Sequence, residues 1–384
     1  MKQVPNEVFE YAVSVYQKLH QYPEIGFELY KTVEMVAAEL DALGIAYTDR
    51  YGKCSLVAQI GNKPGVPTIG FRADMDALPV NEKTDLPFAS KIDGAMHACG
   101  HDSHTAILLA VAKVLKAEED KLPCNVRLFF QPSEEGAVSG AKMMADNGCL
   151  EGCDFVAATH CETLIPTGTV GYGFGPVMAA CAPITLKFHG ITSHATLPEH
   201  GVDAVSMAVD SYYALKQMVK EEAGDQPYIW SVGKFAGGDV HNVIPDLCTQ
   251  EISFRFYDNE FAERVHQRML VIIDEIAKRY GGTAELQWRV STCPVINNEA
   301  LVNHFKSILE SVEGMELAVI PQKRSSEDFG WFTNSCPGML FRYGIYNEEK
   351  GTIYNAHRPD FKIDTDGMKY AILAFVNLAE NFNL

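Results

Sequence analysis

A chain of 384 residues is too long for one comfortable core and points to two domains. Its composition, 47% hydrophobic, 10% aromatic and 21% charged, is that of an ordinary soluble globular protein rather than a disordered one. Asp plus Glu outnumber Lys plus Arg by 50 to 32, and the formal net charge of -18 argues against nucleic acid as a partner, leaving solubility as the use of the acidity.

The N-terminal stretch MKQVPNEVFEYAVSVYQKLHQYPEIGFE has no uninterrupted apolar core and no small-residue cleavage site, so no signal peptide is expected. No apolar run reaches the length of a bilayer span, so no membrane partner is expected and a cytoplasmic address follows. The ten cysteines, scattered without CxxC pairs, read as buried thiols of a reducing compartment, and only Cys99 has neighbours that suggest chemistry.

In chain order, helical spacing covers Asn6 to Gln21, and a second amphipathic helix runs from Thr32 to Leu43, ending at Gly44. SLVAQIG and TIGFRAD read as strands, Thr105 to Ala117 as a strongly apolar helix, and NVRLFFQ and FVAATH as further strands. Apolar strands separated by helices, with little polar alternation, indicate a mostly parallel α/β sheet covered on both faces.

From about Ala182 the texture changes. PITLKFHG is a strand, Asp203 to Glu222 a helix, and YIWSVGKFAGG and CTQEISFRFYD are strands. Glu260 to Tyr280 is a long helix ended by two glycines, and AELQWRV is a last strand. The order βαββαβ is the split-βαβ arrangement, an α+β unit with one helical layer on an antiparallel sheet. Residues 182–291 are therefore expected to be an inserted lid or dimerisation domain, with 1–181 and 292–384 forming the α/β catalytic domain. In the latter, Asn298 to Val312 is helical, GMLFRYG extended, and Asp364 to Asn381 a closing amphipathic helix; these pieces are too few to fold alone.

Three acidic or histidine clusters, in TIGFRADMD, LFFQPSEEG and FVAATH, fall at the C-terminal ends of predicted strands, and MHACGHDSH leads into the Thr105 helix. In an open α/β sheet that edge is where ligands bind. Cys99 and His101 are two apart, so in an extended loop they point the same way and can share one ion; thiolate plus imidazole suits zinc and its neighbours rather than calcium or magnesium. In SEEG, Glu134 and Glu135 on the first turn of a helix would diverge, leaving one to coordinate and one to face a water, although Ser133 as a cap and acids in a first turn also suit a helix start. His160 and His357 complete the set of candidates at element ends.

The runs FRADMDALP, MHACGHDSHT, FFQPSEEG, ATH, SHATLPEHGVD, GGDVHNVIPD, SSEDFGWF and NAHRPDF, collinear over nearly the whole chain, carry a resemblance. The sequence resembles the metal-dependent aminoacylase and carboxypeptidase family of peptidases, in the amidohydrolase branch that includes hippurate hydrolases, N-acetyl-diaminopimelate deacetylases and indole-acetyl-amino-acid hydrolases. That resemblance implies metal ligands Cys99, His101, Glu135, His160 and His357, holding up to two divalent ions (Zn, Mn, Co or Ni), and Glu134 as general base. It also implies His194 as a donor to the tetrahedral oxyanion of a neighbouring subunit, and Asn242 and Arg255 at the substrate's carboxylate end. Asp74 and Asp102 look like partners that orient a ligand ring, and His97 and His104 like supporting residues.

The expected activity is hydrolysis of the amide bond of an N-acyl or aryl-acyl amino acid, by an enzyme that is a homodimer or higher homo-oligomer. The sequence departs from the resemblance at Ile191, Thr192 and Ser193 before His194, at Ser103, at Cys161 and Glu162 after His160, and at Ala182 and Pro183; none of these is an implied ligand. Two alternatives remain at this level: a metal-free thiol amidase with Cys99 as nucleophile, and a zinc-containing binding protein without catalysis.

Overall fold

A computed structural model describes all residues, 1–384. The chain divides into two compact units, one of Met1–Val177, Val295–Gln322 and Asp328–Leu384, the other of Met178–Pro294 and Lys323–Glu327.

The first unit opens with α1 (Asn6–His20), where Val8, Ala12, Val15, Tyr16 and Leu19 recur on one buried face. Then come α2 (Tyr30–Ala42), β1 (Leu56–Ile60), β2 (Thr68–Asp74), α3 (His101–Ala117), β3 (Asn125–Gln131), α4 (Gly140–Asp146) and β4 (Phe155–Pro166). Every residue of β2 is buried, the pattern of a strand covered on both faces.

The second unit contains β5 (Ala180–His189), β6 (Ser193–His194), α5 (Ala204–Ala223), β7 (Ile229–Gly237), β8 (Val243–Ile244), β9 (Leu247–Phe256), α6 (Asn259–Tyr280) and β10 (Thr283–Trp288). Its four long strands form an antiparallel sheet in the order β7-β9-β5-β10. Along β9, Cys248, Gln250, Ile252, Phe254 and Phe256 face inward, and the apolar ones share a core with residues of α5 and α6. This is the expected βαββαβ unit, with the ribbon of β6 and β8 as an addition. The expected limits of 182 and 291 left out the segment Lys323–Glu327, which is tied in where Ala179 N–H donates to the carbonyls of Lys323 and Ser325.

The chain returns to the first unit with α7 (Glu299–Leu309), β11 (Gly338–Tyr346) and α8 (Gly367–Glu380). Strands run β1-β3-β2-β4-β11 through the middle of a ten-stranded sheet. All of these neighbours are parallel except β1 with β3, so the sheet is mixed with a parallel centre. The closing helix is shorter than expected and is not amphipathic: Met368, Ala371 to Ala379 and Gly367 are all buried. It packs on α3, α7 and β11, so almost no face is left for water. No helix is long and apolar enough to cross a membrane.

α1 is pinned to α3 by a buried charge. His20 Nδ1 lies 2.6 Å from Asp102 Oδ2 and Nε2 lies 3.2 Å from Glu82 Oε1. Burial opposes the imidazolium, but Asp102 and Glu82 outweigh it and raise the pKa from 6.5 to about 9. Because the folded value is the higher one, the stabilisation is complete below 6.5 and is lost as pH rises through about 9. Urea titrations across that window should show the advantage of the wild type over His20→Gln shrinking by up to about 3 kcal/mol. Parallel stability curves for the two proteins would remove this ion pair from the account.

Candidate metal centre

The loop before α3 is shaped by Gly100, whose φ of +86° lies in the left-handed region and whose added Cβ would meet Cys161 Sγ at 2.7 Å. That turn starts α3 at His101, four residues earlier than the sequence predicted. Cys99 and His101 are therefore not brought together by alternation in an extended loop; they flank a left-handed turn. His101 Nδ1–H donates to the Asp76 carbonyl at 2.9 Å, so Nε2 is the nitrogen left to face a cation.

SEEG also departs from expectation. Ser133 has φ +52° and donates to the Val138 carbonyl, and no helix begins until Gly140, capped by Ser139. Glu134 and Glu135 sit in the loop between β3 and α4. Their backbone N–H groups donate to the two carboxylate oxygens of Asp76 at 2.9 and 3.1 Å, which replaces the helix start.

His160, on β4, donates from Nδ1 to the Cys161 carbonyl at 2.7 Å, leaving Nε2 as the lone pair 3.4 Å from Cys99 Sγ. His357 is held at φ +69°, a conformation uncommon for a residue with a side chain, while its N–H donates to the Ala98 carbonyl at 2.7 Å. Its Nε2 lies 3.0 Å from Glu135 Oε1. The structure thus gathers all five implied ligands, with Glu134, in the first unit. The donor atoms of Cys99, His101 and His160 lie within 4.8 Å of one another, as do those of Cys99, Glu135 and His357, and of His101, Glu134 and Glu135. His101 Nε2 is buried with no hydrogen bond, a costly arrangement unless it serves a cation.

The electrostatics agree. Burial opposes charge on His101, but Asp74 and Asp76 outweigh it and hold its pKa well above the usual value, as expected where carboxylates are in excess. Burial likewise opposes ionisation of Glu135, and His357 and His101 outweigh it. Burial pushes the Cys99 thiol well above its usual range, and burial with Arg342 pushes His160 well below its own. Without a cation the two are therefore a neutral pair, not the thiolate and imidazolium that a thiol amidase needs.

Of the expected orienting residues, Asp74 accepts from His104 Nδ1 at 2.6 Å and lies 3.7 Å from His101 Nε2. His104 Nε2 accepts from Cys161 N–H at 3.0 Å, so both nitrogens of that ring are used within the protein. Asp102 reaches no ligand ring; it turns the other way to His20. His97 is buried, and burial lowers its pKa to about 4, so it is neutral. The residue that sequence reasoning missed is Asp76, which holds His101 by its carbonyl and Glu134 and Glu135 by its carboxylate. Its signal was the repeat in RADMD, which places a second acid two residues beyond Asp74.

His194, Asn242 and Arg255 belong to the second unit. His194 is exposed on β6, opposite Val243 of β8, and the Asn242 carbonyl accepts from Ala195 N–H at 3.0 Å, so the two share one end of the ribbon. Arg255, on β9, donates from Nη1 to Ser326 Oγ at 2.7 Å.

The model of peptidase family M20/M25/M40 matches residues 70–381. The chain belongs to this family. It is 34% identical over 388 positions to thermostable carboxypeptidase 1 of Saccharolobus solfataricus, covering 100% of this chain and 98% of the relative. N-acetyl-L-cysteine deacetylase of Bacillus subtilis is 36% identical, covering 92% and 83%, and IAA-amino acid hydrolase ILR1-like 4 of Arabidopsis thaliana is 31% identical, covering 99% and 87%. Among solved structures, a methicillin-resistant Staphylococcus aureus protein superposes with a TM-score of 0.93 at 27% identity, covering 98% of this chain and 97% of that one. The Bacillus subtilis YXEP protein, described as a dinuclear metal-binding peptidase of the M20 family, gives 0.84 at 29% identity, covering 98% of each chain. As an M20 enzyme, the protein is a hydrolase acting on amide bonds, as the resemblance implied.

In chelator-stripped protein near neutral pH, Cys99 should react with iodoacetamide at least roughly tenfold more slowly than an exposed thiol, followed by mass spectrometry. Labelling as fast as that of a free thiol would restore the nucleophile reading.

Proposed function

We propose that the M20 hydrolase releases an amino acid from an N-acyl or aryl-acyl conjugate. Two divalent cations would be held by Cys99, His101, Glu135, His160 and His357, with Glu134 as proton carrier. The observation that carries this reading is the pair of donor triplets that overlap at Cys99, Cys99/His101/His160 and Cys99/Glu135/His357. One thiol, three imidazoles and a carboxylate suit zinc, manganese, cobalt or nickel better than calcium or magnesium. Bound cations of this kind polarise an amide carbonyl and acidify a water.

The chain's own residues do the rest. His101 and His160 are committed as Nε2 donors by the carbonyls at their Nδ1 atoms. Glu134, which shares a third cluster with His101 and Glu135 and has Oε2 3.9 Å from His101 Nε2, takes the proton of the attacking water before delivering it to the leaving amine nitrogen.

The substrate class rests on relatives named for N-acetyl-L-cysteine and for IAA-amino acid conjugates. His194 would donate to the oxyanion, and Asn242 and Arg255 would receive the carboxylate end. We assign His194 to the centre of a second copy, in an assembly built through the second unit. Supporting this, β7 is an edge strand with Phe235 41% exposed, and Tyr213 on α5 is 68% exposed.

Exhaustive chelation should abolish hydrolysis of acetyl and benzoyl amino acids, and added zinc, manganese, cobalt or nickel should restore it. Glu134→Gln should retain metal by elemental analysis while turnover falls by a factor of about a hundred or more. Full activity in the stripped protein overturns the metal reading. Sedimentation should give at least a dimer, and a fully active monomer contradicts the role of a second copy.

A further inference from the structure

The loop between β3 and α4, which carries Glu134, has no helix or strand of its own, so something else must fix it. We propose that Asp328 is the positioning residue for Glu134. This rests on the reading of Glu134 as proton carrier. Asp328 is completely buried. Its carboxylate accepts from Gln131 Nε2 at 2.8 Å, the last residue before the loop. It also accepts from Ser139 Oγ at 2.7 Å and Ala141 N–H at 3.2 Å, beyond the loop's far end. Its own N–H donates to Glu134 Oε1 at 3.4 Å, in the middle. One residue from a distant part of the chain therefore holds both feet of the loop and the base itself.

The physics of burial makes this grip stiff. A carboxylate removed from water tolerates no lost donor, so a loop movement that breaks one bond leaves a buried charge short of partners. Arg72 Nη2, 2.9 Å away, neutralises the charge, and the same guanidinium donates to Asp74 Oδ2 at 2.7 Å and to Gln131 Oε1 at 2.7 Å. Asp74 stands beside His101 and His104. The base and the imidazole side of the centre are thus referenced to one rigid cation. The contact also selects an oxygen: Oε1 is engaged by the Asp328 amide, while Oε2 faces His101 Nε2 at 3.9 Å.

The test compares metal-loaded Asp328→Asn, Glu134→Gln and the double variant on an N-acyl amino acid. An Asn amide is the same size, but its NH2 cannot accept, so one side of the network fails at constant volume. For Asp328→Asn, metal content should match the wild type, KM should stay within about twofold, and kcat should fall roughly tenfold to a hundredfold. In the Glu134→Gln background the same change should cost no further turnover, because there is no proton carrier left to misplace. Unchanged kcat in Asp328→Asn beside a slow Glu134→Gln, or losses that multiply, overturns the positioning role alone. Full turnover in Glu134→Gln overturns the base assignment beneath it. Should Asp328→Asn not fold, Ser139→Ala cuts one foot of the loop and is judged by the same split and the same double variant.

Discussion

The interaction on which the centre depends is the acceptance of two backbone amides by one carboxylate. Asp76 lies two residues beyond the end of β2, and its oxygens take the N–H groups of Glu134 and Glu135, while its carbonyl takes Nδ1 of His101. Two proposed ligands and the proposed base, from segments distant in the chain, are thereby set against a single residue. The sheet supplies the level at which this happens: β2 runs parallel to both β3 and β4, with Asp74 opposite Gln131 and Arg72 opposite Ala158, two residues before His160. Side chains leaving the C-terminal ends of neighbouring parallel strands converge without any loop having to travel far.

Because Asp76 works through main-chain groups, the side chains of Glu134 and Glu135 remain available for chemistry. That division also explains the tolerance of awkward backbone. Ser133 at φ +52° and His357 at φ +69° are strained positions beside the centre, and each lies next to a strong local tie: Ser133 is followed by the two amides bound to Asp76, and His357 N–H is bound to Ala98. Strain persists where surrounding bonds over-determine the conformation.

Much of this was legible from residue chemistry, and the errors share one cause. The alternation in β9 and the apolar run of β2 depend on period and burial, which neighbouring residues carry, so the βαββαβ unit and the parallel centre could be read directly. The start of α3 at His101 was hidden because it depends on Gly100 turning left-handed under Cys161, a residue far along the chain. SEEG has every local mark of a helix start, yet an acceptor 58 residues earlier in the sequence captures its amides first. Asp102 was expected to orient a ligand ring, but on α3 it points to His20 instead, a residue far from it in sequence. Helix α8 was expected to keep a polar face toward water, but its partners are remote in sequence; only packing on α3, α7 and β11 shows that nearly every side is covered.

The centre is also where the fold accepts instability. Buried Cys99 and His101 and half-buried His160 crowd against Asp74, Asp76 and Glu135, and buried His101 Nε2 has no hydrogen bond inside the protein. Elsewhere comparable charges are closed off: Arg72 is enclosed by Asp74, Gln131 and Asp328, and His20 by Asp102 and Glu82. A fold able to satisfy those groups so completely could have satisfied His101 Nε2 by a small change of side chain. Leaving it open keeps an unpaired nitrogen among excess carboxylates, and a cation entering there would return to the folded state the stability that the open group withholds. The frustration is local because the surrounding ion pairs are complete, so it is released by binding rather than by movement of the strands.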